Sequence, residues 1–297
     1  MKLSKGSIFI FLGPAVILVL AIFLYPVFRT TAMSFFDVKE IISPVRKWNF
    51  VGLGNYRLLY KTQLFITSMK NILKLWLYCG AITMFLSFLF SIALTTEIIG
   101  KKFFRALVYL PNVIASIAIG YMWLFYVFNN QFGLFKTLFS FLRLDSLAQI
   151  QWLSSNYIFY SMSIAFIFSN VGYYMMMFIA GIEKISSDYY EAARIEGAGV
   201  FQCFFKITLP LIKGVFATAA VLWTSRTMGF FALAQVFIGI KTYTPMLYTY
   251  IVLFGTEFTS TANNAGLAAS SAVTMTIIVI IVSTLIQKLI KDENHEG

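Results

Sequence analysis

Apolar residues in this chain gather into six long runs, and the segments between them are rich in Asn, Gly, Ser, Lys and Arg. Each run has roughly the 20 residues that a helix needs to cross a ~30 Å hydrocarbon core. The pattern therefore predicts six membrane-spanning helices, at about 8–28, 75–95, 106–128, 157–181, 214–237 and 267–287. Because the sequence has no internal repeat and no linker, we expect an all-α integral membrane protein folded as a single domain over residues 1–297.

The composition agrees with a membrane protein. Apolar residues make up 59% of the chain and charged residues 12%, against roughly 45–50% and 25% in soluble proteins. The first apolar run follows Lys2 and Lys5, as a secretory signal would. It is longer than the usual 7–15-residue signal core, and no A-x-A cleavage pattern follows it, so we interpret it as a retained helix.

The net charge of +11 does not indicate a nucleic-acid partner, because the basic residues are spread over the loops and never form a run of five. Contact with anionic lipid headgroups and the positive-inside rule account for them. The short loop 97–106 holds Lys101, Lys102 and Arg105, which favours cytoplasmic N- and C-termini. In that orientation the segment 182–213 is cytoplasmic.

Few residues are suited to chemistry. Cys79 lies in an apolar run and Cys203 in the segment 182–213, so we expect two free thiols. His295 is the single histidine, which leaves no zinc site and no catalytic triad to assemble. The sequence has no G-x-x-x-x-G-K-[ST] motif for ATP. We therefore expect a non-enzymatic chain that binds no cofactor of its own.

One polar segment, "EAARIEGAGVFQCFFKITLP" at 191–210, separates two apolar runs. Asp188 is expected to cap a helix that carries Glu191 in its first turn. Gly197 can adopt a positive φ angle and turn the chain, and Pro210 suits the start of the next spanning helix. The segment thus predicts two short helices joined by a turn. Its apolar helical stripe would consist of Phe201, Phe204, Phe205 and Ile207.

Two interpretations of this segment are open: an amphipathic loop that only connects two spans, or a surface that docks into a groove of a partner protein. The spacing favours docking. Seven positions follow the pattern E-A-A-x-x-x-G, nine residues, then I-x-L-P, and residue frequencies of roughly 5–10% make this an accident on the order of once in ten million windows. The seven residues are Glu191, Ala192, Ala193, Gly197, Ile207, Leu209 and Pro210.

The segment resembles the cytoplasmic "EAA" loop in permease subunits of ATP-binding-cassette (ABC) importers. Neighbouring motifs narrow the resemblance to the binding-protein-dependent carbohydrate uptake family, which includes the maltose and glycerol-phosphate permeases, on its MalF-like side. These motifs are "FVGLGNY" (50–56), "FFRALVYLP" (103–111), "WLSS" (152–155), "AGIEKISSDYYEAARIEGA" (180–198) and "AGLAASSAV" (265–273). One departure is "FIGIKTYTP" (237–245), where the family often has Gly-Gly-Pro after the fifth span.

The resemblance implies a type I importer with six spans and four kinds of partner. These are a second, MalG-like permease, two cytoplasmic ATPases that bind ATP and Mg, an extracytoplasmic solute-binding protein, and membrane lipid. The 191–210 segment would be a coupling helix in a cleft of one ATPase. Glu191 and Gly197 would then transmit movement between the ATPase and this chain, and Ala192 and Ala193 would let the helix fit into the cleft.

Arg226 is the most informative residue outside that segment. Thirteen residues at ~1.5 Å each from Lys213 place it about 20 Å into a ~30 Å core, where a charge costs about 2.5–3.5 kcal/mol on insertion scales. We expect Arg226 to face a cavity or a partner, although it could also extend toward the interface or pair with the sister permease. A cavity would favour an anionic or amino sugar. The helical face that shares this position holds Trp223, Arg226, Thr227 and Phe230, and it aligns with the substrate-lining face of maltose-type permeases.

The fourth span offers a second candidate group, Asn170, Gly172 and Tyr174. It matches a pocket region of the family, but helix packing explains the same residues equally well. Tyr173 and the adjacent methionines are interpreted as packing residues.

Two other functions compete with a sugar importer. One is an ABC permease for a non-sugar solute such as a phosphate ester, an amino acid or a peptide. The other is a channel or secondary transporter, but the six runs contain no acidic residue that could couple a cation.

Overall fold

The computed structural model describes residues 5–96, 98–237, 239–255 and 264–292, so Lys2 and His295 lie outside the described residues. Most of the described chain is helical. The helices are α1 Lys5–Val19, α2 Tyr25–Met33, α3 Gly54–Lys61, α4 Gln63–Lys74, α5 Gly80–Thr95, α6 Lys101–Val113, α7 Ser116–Met122, α8 Leu134–Phe141, α9 Asp145–Ala148, α10 Ile158–Ile182, α11 Ser187–Ile195, α12 Val200–Cys203, α13 Leu209–Leu211, α14 Lys213–Met228, α15 Ala232–Val236, α16 Pro245–Phe254 and α17 Ala265–Asp292. Two short strands, β1 Phe36–Asp37 and β2 Asn49–Phe50, pair antiparallel.

The six apolar runs coincide with four long apolar helices and two bent helix pairs. The long helices are Phe11–Met33, Gln63–Thr95, Ile158–Ile182 and Ala265–Lys288. The bent pairs are Lys101–Val113 with Ser116–Val127, at 99°, and Val200–Leu211 with Lys213–Val236, at 57°. The all-α membrane fold predicted from the sequence is confirmed.

The third predicted span is therefore broken and not straight, whereas the 57° bend of the second pair falls at Ile212, just before the predicted fifth span. Between α6 and α7, Ile114 and Ala115 take extended ψ angles of 140° and 132°. Both residues are apolar, so hydropathy carries no sign of this break. In the fifth span α14 ends at Met228 and Gly229 follows it, consistent with the roughly 1 kcal/mol cost of glycine inside a helix.

The chain groups into two compact units, residues 1–66 with 248–277 and residues 67–247 with 278–297. The single membrane domain expected from the sequence stays a prediction.

The first unit is organised by two of the sequence motifs. Asn55 of "FVGLGNY" donates from Nδ2 to the carbonyls of Ser34 (3.0 Å) and Phe36 (2.8 Å). Gly266 of "AGLAASSAV" lies so close to the Phe36 carbonyl that a side chain would not fit, and its N–H donates to Val38 O at 2.9 Å. These backbone contacts explain why an amide and a glycine occupy the two motifs.

The second unit is built around α10, and small residues set its helix crossings. Gly172 of α10 lies against the backbone of Val108 and Tyr109 in α6, which leaves no space for a Cβ atom. In the same way, Gly80 of α5 lies against the indole of Trp223 in α14. Close approach at small residues is the usual basis of helix packing in membranes.

Candidate functional site

Helix α11 begins the predicted two-helix segment, and Ser186 caps it. The Ser186 hydroxyl accepts a hydrogen bond from the N–H of Asp188 at 3.3 Å. The expectation that Asp188 would cap the helix was wrong, because the cap is Ser186 and the helix starts at Ser187, two residues earlier than expected. Asp188 instead lies in the first turn, where the helix dipole favours its carboxylate.

Gly197 ends α11 with the positive φ angle expected from the sequence, +80°. The Ala198 N–H donates to Ala193 O at 2.8 Å, and the Gly197 N–H donates to Arg194 O at 3.0 Å. These two bonds form a Schellman motif, which satisfies carbonyls at the helix end and reverses the chain. No atom lies within 4 Å of a Cβ built on Gly197, so its backbone angle, and not lack of space, requires glycine there.

The second limb consists of α12, a π-helical turn at Phe204–Thr208, and α13. The Gln202 side chain accepts from the Gly199 N–H at 3.0 Å and fixes the start of α12. The hydroxyls of Tyr190 and Thr208 lie 2.9 Å apart and join the second limb to α11. We call residues 186–211 the elbow.

The expectation that Pro210 starts the next spanning helix was wrong, because Pro210 lies near the end of the continuous helical stretch Val200–Leu211. The spanning helix α14 then starts at Lys213. The expected apolar stripe does not form one buried face: Phe204 packs on Phe88 with ring centroids 5.8 Å apart, whereas Phe201 and Phe205 are 80% and 60% exposed. The π-helical turn shifts these side chains out of ordinary helical register.

The elbow presents both apolar and charged groups on its surface. Ile195 and Val200 are 88% and 85% exposed, and α11 has no buried residue. Glu191 and Ala192 are exposed, whereas Leu209 is only partly so. A groove of about 400 Å³ brings together three of the seven motif residues, Ala193, Gly197 and Ile207, with Glu196, Ala198, Gln202, Cys203 and Lys206.

Arg226 lies in the last turn of α14 and is exposed in the chain. Its Nη2 donates to Asn112 Oδ1 at 2.9 Å. Its guanidinium carbon lies 5.4 Å from the ring centroid of Tyr173, within the range of a cation–π interaction. Both partners are uncharged, and the described residues place no carboxylate at ion-pair distance from Arg226.

A cavity of about 140 Å³ lies beside Arg226. Three of the seven predicted path residues line it: Asn170, Arg226 and Phe230. The Phe230 ring packs on Phe166 with centroids 4.3 Å apart. The remaining lining residues are Ser116, Ser169, Gly229, Phe231, Ala232 and Leu233.

The other four predicted path residues pack between helices and do not line this cavity. The Trp223 indole donates to Trp76 O at 2.9 Å, and its ring contacts Phe166. Thr227 and Tyr174 are fully buried, and Gly172 faces the α6 backbone. The predicted face of α14 is therefore divided: Arg226 and Phe230 line the cavity, whereas neighbouring helices cover Trp223 and Thr227.

Two residues that contact Arg226 went unrecognised in the sequence. The sequence predicts Tyr173 to be a packing residue, but its ring lies beside the guanidinium. Asn112 was not singled out, although an amide directly after Pro111 in an apolar run is a signal that could have found it.

A profile of the family described as "Binding-protein-dependent transport system inner membrane component" matches residues 90–292 of the chain. The chain is 31% identical over 218 residues to the probable ABC transporter permease protein YurN of Bacillus subtilis, covering 72% of each. It is 26% identical to the arabinooligosaccharides transport system permease protein AraP of the same organism, covering 99% of this chain and 91% of the relative.

A solved structure has the same fold. It is that of a bacterial ABC transporter involved in the import of the acidic polysaccharide alginate, and it superposes with a TM-score of 0.79 at 18% identity. The match covers 97% of this chain and 96% of that one. With the membrane-spanning helices and the profile match over more than half of its length, the chain belongs to the family of inner membrane components of binding-protein-dependent transport systems.

Proposed function

We propose that this chain is the permease subunit of an ATP-driven importer for sugars or oligosaccharides, with the elbow as its coupling surface. The observation that carries the proposal is the elbow itself: a capped helix with no buried residue, a Schellman turn at Gly197, and a second limb that joins this helix to the rest of the chain. The fold of a single chain does not require such an exposed surface. A partner protein whose movement is transmitted to the spans would require it.

The surface chemistry of the elbow supports docking into a soluble partner. Ile195, Val200 and Phe201 are each at least 80% exposed, and exposed apolar patches of this kind mark interaction sites. Glu191 adds an exposed carboxylate that can pair with an arginine or lysine of the partner. Ala192 and Ala193 keep one side of α11 slim enough to enter a groove, with Ile207, Leu209 and Pro210 setting the direction of the second limb.

In this proposal the partners are a sister permease, two cytoplasmic ATPases and an extracytoplasmic binding protein. The ATPases carry ATP and Mg, and this chain performs no chemical step and binds no cofactor. Closure of the ATPase dimer on ATP draws the two elbows together, and the attached spans change from inward-open to outward-open. Both termini of the chain are then cytoplasmic, and the elbow lies on the same side as the ATPases.

The sugar substrate rests on relatives such as the arabinooligosaccharide permease, and the substrate path rests on the cavity beside Arg226. A permease for a non-sugar solute is the alternative. A complex purified with its co-encoded partners distinguishes the two, because its ATPase activity should rise only when the binding protein is loaded with an accepted solute.

Gly197 offers the sharpest test of coupling. A β-branched residue at a positive φ angle is strongly disfavoured, whereas asparagine tolerates it. Gly197→Val should lower uptake and binding-protein-stimulated ATP hydrolysis by about tenfold or more, and Gly197→Asn by less than about threefold, since 1.4 kcal/mol corresponds to tenfold.

Gly199→Ala is the matched control. Gly199 also has open space around a built Cβ, but its φ angle is −74°, so this variant should behave as the wild type. Full coupling in Gly197→Val, in a complex that contains its ATPases, would contradict the coupling role of the elbow. A chain that purifies without any ATPase would contradict the proposal as a whole.

A further inference from the structure

The positive charge of Arg226 is not neutralised by any residue that the structure describes. Its two partners, the Asn112 amide and the Tyr173 ring, carry no formal charge. The six apolar runs contain no Asp or Glu. The C-terminal end of α14 supplies only the partial negative charge of a helix dipole, about half an elementary charge. A cation held in a membrane segment in this way retains its attraction for an anion.

Asn170 adds an unpaired hydrogen-bond acceptor to the same cavity. Its Nδ2 donates to Phe166 O at 2.7 Å and to Ser169 Oγ at 3.1 Å. Both donor positions are thereby occupied, which fixes the orientation of the amide and leaves Oδ1 as the free atom. Asn170 is only 1% exposed, and its Oδ1 has no partner among the described residues. Leaving a buried acceptor unpaired is costly unless a ligand supplies the donor.

The volume of the cavity is large enough for one end of a sugar but too small for a complete sugar molecule. Its volume of about 140 Å³ is well below the roughly 300–1,000 Å³ of typical ligand pockets. Phe166 and Phe230 line the cavity, but their rings pack on each other and are buried, so they form its apolar wall. This chain therefore contributes one wall of a larger site, with a cation and an acceptor beside apolar rings.

We infer that the transported solute carries an acidic group that pairs with Arg226, and a hydroxyl that donates to Asn170 Oδ1. This inference rests on the proposed import function and narrows its substrate class from sugars in general to acidic sugars. The acidic group is a carboxylate or a phosphate, since a guanidinium binds both in bidentate fashion.

The test uses the complex of this chain with its co-encoded partners, reconstituted in proteoliposomes with the binding protein. Three solutes are compared: a neutral disaccharide, the disaccharide with one uronic acid, and the corresponding phosphorylated sugar. The variants are Arg226→Gln, Arg226→Lys and Asn170→Leu. Lys241→Gln is the control, because Lys241 is another cation bound to an amide oxygen, Asn156 Oδ1 at 3.1 Å, and does not line this cavity.

In the wild type we expect ATP-dependent uptake of one acidic solute, and whether it is the uronic acid or the phosphorylated sugar identifies the acidic group. Arg226→Gln should lower that uptake by about tenfold or more, and Arg226→Lys by less, because the charge remains but the bidentate geometry is lost. Asn170→Leu should raise the solute concentration needed for half-maximal uptake, and Lys241→Gln should change nothing.

Three results would overturn the inference and leave the proposed function in place. Uptake of the neutral sugar alone by the wild type would exclude an acidic substrate. Uptake within about twofold of wild type in Arg226→Gln would remove the arginine from the path. Loss of the sister permease from the purified Arg226→Gln complex would assign the missing carboxylate to that subunit. If none of the three solutes drives uptake or ATP hydrolysis, the proposed function fails, and the inference fails with it.

Discussion

Two arginines of the second unit carry the same charge in opposite surroundings. Arg105, in α6, contacts Glu183 Oε1 at 2.8 Å and Leu94 O at 2.7 Å, and its side chain is only 18% exposed. It thereby joins the ends of α5 and α10 to α6. Arg226, in α14, is exposed and is bound by an amide and an aromatic ring.

The difference separates a charge that is paired within the fold from one that the proposal assigns to the solute. Arg105 satisfies a carbonyl at the end of α5, and it neutralises a carboxylate that the C-terminal end of α10 would otherwise disfavour. The charge of Arg105 is therefore paired with a carboxylate of the same chain. Arg226 is held in place by two uncharged groups and has no carboxylate partner among the described residues, which is the arrangement expected of a group that binds an anionic ligand.

Disrupting the helix crossing that places Asn112 and Tyr173 beside Arg226 should have the largest effect on stability and uptake. Asn112 lies on α6 and Tyr173 on α10, and the crossing of these helices depends on Gly172. Gly172→Leu would overpack this contact and destabilise the protein by about 3 kcal/mol, with uptake lost. Gly214→Leu is the control, because no atom lies within 4 Å of a Cβ built on Gly214. The measurements are the unfolding midpoint in detergent and the yield of monodisperse protein, and a stable Gly172→Leu protein would contradict the close contact.

Removing the charge of Arg226 should separate transport from stability. Arg226→Met should lower uptake of the accepted solute by about tenfold while the unfolding midpoint stays the same or rises, because a charge in the membrane costs about 2.5–3.5 kcal/mol on insertion scales. The experiment combines uptake by proteoliposomes with thermal unfolding of the same preparation. A clear loss of stability would make Arg226 a structural residue like Arg105.

Removing the charge of Arg105 should lower stability and leave solute preference unchanged, and the effect should be smaller. Arg105→Met loses the bond to the Leu94 carbonyl and should lower the free energy of unfolding by about 1–2 kcal/mol. Glu183→Gln should cost less than about 1 kcal/mol, because Glu183 is 53% exposed and exposed ion pairs contribute little. Solute preference should not change in either variant. A double-mutant cycle of the two changes measures the coupling, and a changed preference would refute the structural role.

The predictions from sequence succeeded where the signal is local. Apolar run length located the four long apolar helices and the two bent helix pairs, since crossing a membrane requires a fixed length of apolar helix. The positive φ angle of Gly197 followed from its place between two short helices. The cap of α11 was misassigned to Asp188 because Ser186, Ser187 and Asp188 are all good capping residues, and only the backbone geometry selects one of them.

Predictions about whether a helical face points toward a cavity or toward another helix were less successful. A helical wheel places Trp223, Arg226, Thr227 and Phe230 on one face, but it does not say which neighbours cover that face. Trp76 and Gly80 receive the Trp223 side chain from almost 150 residues away in the chain. The substrate-path prediction was accordingly divided between a cavity and a helix interface.

The sequence by itself determined that this chain spans a membrane, that residues 191–210 have the spacing of the EAA loop of ABC importer permeases, and that one arginine lies deep in an apolar run. These are properties of composition and of residues close together in the chain. Only the tertiary structure decided that Arg105 is neutralised and Arg226 is not, and that Asn170 keeps a free acceptor in the cavity beside Arg226. The physical reason is that the partners of these charges come from other helices, so the way the helices pack decides which polar groups remain available to a ligand.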